Sequence, residues 1–85
     1  MVTKEMTIKI ATGLEARPTA ILVQIASQFE SSVYIECEDK KVNAKSIMGM
    51  MSLGLAAGEE VVVTAEGTDE EAAMEKIEQF LNGEK

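Results

Sequence analysis

Along this chain, apolar and polar positions alternate, switch to a helical spacing, and alternate again, and each switch marks an element boundary. Met6, Ile8 and Ile10 alternate with Thr7 and Lys9, the period-two pattern of a strand with one buried face. Thr12-Gly13-Leu14-Glu15 breaks that pattern. From Ala16 the spacing changes, with Leu22, Ile25, Ala26 and Phe29 at i, i+3, i+4 and i+7, one stripe of a helix. Pro18 falls in the first turn, where its missing N–H costs nothing, and Ser31-Ser32 supplies a stop. Val33, Ile35 and Cys37 alternate with Tyr34 and Glu36, and Glu38-Asp39-Lys40 turns the chain into a short strand, Lys41 to Asn43. Ser46 precedes the compact apolar stretch Ile47-Met48-Gly49-Met50-Met51 and is a natural helix N-cap. That helix is short, since Gly54 and Gly58 bracket its exit. Val61, Val63 and Ala65 predict a fourth strand and Gly67 a turn. Thr68-Asp69-Glu70-Glu71 fits a capping box, with Thr68 at N-cap and Glu71 at N3. Ala73, Ile77, Phe80 and Leu81 make the buried stripe of the last helix, which Asn82-Gly83 ends.

The predicted order is therefore β-α-β-β-α-β-α in a single domain over residues 1–85. Alternating strands bury one face only, so they argue against a parallel sheet covered on both sides. The expected fold is α+β: an open-faced β-sandwich, a four-stranded antiparallel sheet covered on one face by helices. A chain of 85 residues buries only roughly 60–65 % of its unfolded surface, so its core is small.

Charge and composition narrow the possible activities. Eight basic against fifteen acidic side chains leave a net charge of −7. Such a polyanion repels the phosphate backbone, which argues against direct nucleic-acid binding. The nearest cationic cluster is Lys40, Lys41 and Lys45. One cysteine and no histidine exclude an internal disulfide, a cysteine-based zinc site and the usual general base. No metal or cofactor is expected. No apolar run approaches the roughly 20 residues that cross a bilayer, and Met1 to Glu5 lacks the apolar segment of a signal peptide. The expectation is a cytoplasmic protein without membrane contact.

Two helix starts are the candidate chemistry, because each exposes unpaired backbone N–H groups and the positive end of a helix dipole. At the first, Gly13 permits the turn, Pro18 begins the helix, and Arg17 adds a guanidinium beside the amides. The site reads either as a phosphoryl receptor or as an ordinary helix start with a solvated arginine. At the second, Ser46 is either a plain cap or a phosphorylation site, where added negative charge suits the dipole. A helix this short cannot bury all of Ile47, Met48, Met50 and Met51. Any that stay exposed form a soft protein-binding patch. Cys37 is in phase with Val33 and Ile35 and reads as a small core residue. Glu59-Glu60 and Glu70-Glu71 read as solvated or capping.

Both helix starts carry a resemblance. Thr12-Gly13-Leu14-Glu15-Ala16-Arg17-Pro18-Thr19-Ala20 resembles the active-site motif T-G-[LI]-H-A-R-P-A of the histidine-containing phosphocarrier (HPr) family of the bacterial sugar phosphotransferase system. Lys41-Val42-Asn43-Ala44-Lys45-Ser46-Ile47-Met48-Gly49-Met50-Met51-Ser52-Leu53 resembles that family's regulatory-serine segment. The likeness spans essentially the whole chain and implies the same open-faced fold. It departs at Glu15, which stands where the family's phosphoryl-accepting histidine falls. A carboxylate there repels a phosphoryl donor, so sugar-linked phosphotransfer is not expected. The pattern is similar to the Crh-like catabolite-repression paralogues, which also lack the histidine and keep the serine.

By that resemblance, an HPr kinase/phosphorylase modifies Ser46 with ATP, and the seryl-phosphorylated form binds catabolite control protein A, a LacI-type repressor. The resemblance assigns Ile47, Met48 and Met51 to the apolar part of that surface and Arg17 and Ser46 to its polar part. Glu15 is expected to pair with Arg17 and restrain it. The alternative is a phosphocarrier that receives a phosphoryl group from enzyme I on Glu15 as an acyl phosphate.

Overall fold

A computed structural model describes residues 1–9, 16–53 and 57–83, with the backbone alone at 16 and 17. Seven elements follow the predicted order: β1 (Val2–Thr7), α1 (Ala16–Ser27), β2 (Ser32–Cys37), β3 (Lys40–Asn43), α2 (Ile47–Leu53), β4 (Glu60–Glu66) and α3 (Glu70–Leu81). The strands form one sheet in the order β1-β4-β2-β3, and every neighbouring pair is antiparallel. The fold is the open-faced sandwich that strand alternation requires.

Register lines up the buried face row by row. Val2, Ala65 and Val33 share one row. Lys4, Val63, Ile35 and Val42 share the next. Beneath the helices the apolar side chains of these rows pack with Met6, Ile8, Leu22, Ala26, Met50, Ala73, Met74, Ile77 and Leu81, with Val2 and Val42 at the margin of that one core. Each fully buried large apolar side chain contributes roughly 1.5–3 kcal/mol, so this one cluster is the main driving force. The opposite face carries Thr3, Glu5, Glu36, Tyr34, Val62 and Thr64, and Lys41 lays its ammonium over the Tyr34 ring at 5.1 Å.

Several local expectations are corrected. The first strand spans Val2–Thr7 rather than centring on Met6 to Ile10. Lys4 hides its start from a pattern search: it points to the helix side and stays exposed by pairing with Glu78 of α3 at 2.5 Å. Ile8 lies past the strand but is buried, and its peptide groups bond Glu59 and Gly58. Ile10 lies outside the described residues. Helix α1 ends at Ser27, short of the predicted serine stop, so Phe29 is half-buried beyond it. On α3, Phe80 is only half-buried and Met74 is a core residue. Cys37 sits at the core margin at the end of β2. Its partial burial, then Glu59 and Glu38, push its thiol above the ordinary value.

The capping box at Thr68 does not form. Asp69 occupies the N-cap position of α3 without a side-chain cap bond, and Thr68 donates to Glu30 instead, at 3.3 Å. The Asp69 carboxylate is committed elsewhere. It accepts the N–H groups of Glu30 and Ser31, each at 2.9 Å, and the hydroxyl of buried Ser31. Glu70 folds back to accept the Gly67 N–H at 3.1 Å and pairs with the N-terminal ammonium at 3.0 Å. The turn before β2 is thus fixed by the loop before α3.

These bonds hold the Asp69 carboxyl below the ordinary carboxylate value, with the Ser31 hydroxyl as the largest cause and the Glu30 N–H next. Glu70 is lowered too, first by the Gly67 N–H and then by the N-terminal ammonium. A lowered folded value means that the stabilisation is complete above the unfolded value, about pH 4, and is lost as pH falls through the folded one. Asp69→Asn should therefore flatten the acid limb of stability against pH, measured by denaturant unfolding. An unchanged acid limb would contradict the assignment.

Candidate functional site

Helix α2 is built from Ser46 outward. The Ser46 carbonyl accepts the Met50 N–H at 2.9 Å, the first turn of the helix. Its hydroxyl oxygen accepts the Gly49 N–H at 3.2 Å, the bond of an N-cap serine. Because the hydroxyl acts as acceptor, the cap leaves its own proton uncommitted. Ser46 is exposed.

The segment before the cap is fixed by contacts the sequence reading passed over. Asn43, at the end of β3, accepts the Lys45 N–H on its side-chain oxygen at 2.8 Å, and its carbonyl accepts the Ser46 N–H at 3.0 Å. This is the local turn chemistry that asparagine offers two residues ahead, and Asn43-Ala44-Lys45 carried that signal. Lys45, read as part of the cationic cluster with Lys40 and Lys41 and as a residue of the serine segment, sends its ammonium to the Phe29 carbonyl beyond α1 at 2.8 Å. The start of α2 is therefore tied to both β3 and the end of α1.

The short helix divides its apolar residues as its length demands. Met50 is fully buried, while Ile47, Met48 and Met51 are 44 %, 81 % and 52 % exposed. Three large apolar side chains thus stand in solvent within five residues of the Ser46 hydroxyl. Ser52, the other hydroxyl on α2, donates to the Gly49 carbonyl at 2.6 Å, so its proton is spent within the helix.

The first helix start is described only in part. Glu15 lies outside the described residues. Arg17 is the second residue of α1, and α1 packs against α2, but the pairing expected between Glu15 and Arg17 falls outside what the structure describes. Pro18 lies in the first turn of α1, as its fixed φ favours. No helix among the described residues is long and apolar enough to cross a membrane.

With this geometry in place, the relatives are informative. A family model described as the PTS HPr component phosphorylation site matches residues 2–83. The HPr-like protein Crh of Halalkalibacterium halodurans is 49 % identical over 84 residues, covering 99 % of this chain and all of the relative. The phosphocarrier protein HPr of Bacillus anthracis superposes with a TM-score of 0.92 at 42 % identity, over 94 % of this chain and 95 % of that one. The crystal structure of Bacillus subtilis Crh gives a TM-score of 0.79 at 48 % identity, over 99 % and 97 % of the two chains. The chain belongs to the HPr family, small proteins of the sugar phosphotransferase system that carry a phosphorylation site. Within that family it is Crh-like, of the catabolite-repression type.

Proposed function

We propose that this protein is a phosphorylation-switched regulator of catabolite repression rather than a sugar phosphocarrier. The observation that carries the reading is the pairing of a solvent-facing cap hydroxyl at Ser46 with the exposed Ile47, Met48 and Met51 on one short helix. An HPr kinase/phosphorylase transfers the γ-phosphoryl group of ATP to Ser46. The phosphate adds about −1.5 to −2 charges at the start of α2, where partial positive charge of the backbone favours them. Modification therefore marks the surface without opposing the fold.

The marked surface is amphipathic. The apolar side chains of Ile47, Met48 and Met51 supply adaptable contact area, and phosphoserine with Arg17 supplies the polar part. Its partner is a catabolite control repressor of the LacI type, engaged only by the seryl-phosphorylated form. The carboxylate of Glu15 takes the place of the phosphoryl-accepting imidazole, which is why histidine phosphotransfer is absent.

Incubation with purified HPr kinase/phosphorylase and labelled ATP should label the wild type and leave Ser46→Ala unlabelled. An unlabelled wild type would remove the reading. Enzyme I with labelled phosphoenolpyruvate should leave the protein unlabelled, and a label lost in Glu15→Ala would favour the phosphocarrier instead.

A further inference from the structure

We propose that Gly49 is a positioning residue for phosphoryl transfer to Ser46: the hydrogen it carries in place of a methyl group keeps open the space beside the acceptor hydroxyl. This rests on the reading of Ser46 as the acceptor and extends it to a residue that undergoes no chemistry itself.

Gly49 is the third residue of α2. Glycine inside a helix is disfavoured against alanine, because it loses more backbone freedom on folding. Its usual justification, a positive φ, applies at Gly58, Gly67 and Gly83 but not here. Its surroundings supply a different one. A Cβ on Gly49 would lie 3.3 Å from the Ser46 hydroxyl oxygen, 3.5 Å from Ser46 Cβ and 3.6 Å from Val42 Cβ. The Gly49 N–H already holds that same oxygen. Val42 is paired to Ile35 in the sheet and packed on the core, so it does not yield. Any crowding falls on exposed Ser46.

The unmodified serine tolerates such a neighbour with a shift of a few tenths of an ångström. Phosphoryl transfer does not. The Ser46 oxygen forms a bond to the γ-phosphorus of the nucleoside triphosphate, the bond from that phosphorus to its bridging oxygen breaks, and the nucleoside diphosphate leaves with the bridging oxygen. The hydroxyl proton passes to a base on the kinase. The attacking oxygen must present a lone pair in line with the breaking bond, and the product then carries three further oxygens around phosphorus. A methyl group touching the nucleophile narrows both the approach and the final seat.

Gly49→Ala separates the two roles of the residue. By helix propensity it should melt at the same temperature as the wild type or higher. Its kcat with the serine kinase and ATP should fall at least about tenfold, the equivalent of about 1.4 kcal/mol of barrier. KM should hold, because the added methyl group lies beside the Ser46 hydroxyl and Val42 and changes no other side chain of the protein surface. Ser52→Ala, a change on the same helix away from the acceptor, should be labelled at the wild-type rate. Wild-type kcat in Gly49→Ala, beside a labelled wild type, would overturn the inference. So would a lowered melting temperature in Gly49→Ala or an equal loss of labelling in Ser52→Ala. An unlabelled wild type would instead overturn the assignment of Ser46.

Discussion

Met50→Ala is expected to lower the free energy of unfolding by roughly 2–5 kcal/mol, while Met48→Ala should change it by no more than about 0.5 kcal/mol. The two side chains are chemically identical and two residues apart. Met50 has no exposed surface and Met48 is 81 % exposed. Truncating the first removes buried methylene and thioether contacts and leaves a cavity between α2 and the sheet. Truncating the second removes atoms that mostly touch water. Denaturant unfolding of both variants decides the matter, and equal destabilisation would mean that α2 docks through another face. Binding should divide the other way: by the proposed function, Met48→Ala weakens the repressor complex of the seryl-phosphorylated protein, readable by titration calorimetry.

Gly67→Ala should cost roughly 2–6 kcal/mol, for a reason that lies in the loops and not in the core. A Cβ at this position would stand 2.6 Å from both the Cα and the hydroxyl oxygen of Ser31. Overpacking of that kind costs about 1–3 kcal/mol, and holding a side chain at φ 156° adds about 1–3 kcal/mol. The nearest atoms include backbone, so trimming Ser31 to alanine in the same chain should not restore stability. Because Ser31 donates to Asp69, the variant should also lose part of the acid sensitivity that Asp69 confers. A Gly67→Ala protein as stable as the wild type would show that the two loops separate without penalty.

Much of the fold was legible in local spacing. Val33, Ile35, Val61, Val63 and Ala65 all lie on the buried face where alternation put them, and the Ser46 cap formed on the predicted oxygen. Two of the misreadings share one cause, a partner distant in the chain. Lys4 broke the alternation of β1 because Glu78 receives its ammonium across the fold. Thr68 lost its cap role because Asp69 is drawn to a turn 38 residues earlier. Nothing near Gly67 in sequence marks the closeness of Ser31.

The candidate site divides along the same line. Sequence by itself determined the two helix starts and the hydroxyl at Ser46, since residue identity and spacing along one segment are enough for each, while Glu15 as the stand-in for an imidazole is what the family resemblance implies. It also required that a helix as short as α2 leave some of its apolar side chains in water. Only the tertiary structure decided that Met50 is the one buried, that Lys45 anchors the cap segment to the end of α1, and that Gly49 faces the Ser46 hydroxyl and Val42. Periodicity reports which side of an element is apolar. Which atoms that side meets is set by the packing of elements far apart in the chain, and short-range spacing carries no information about them.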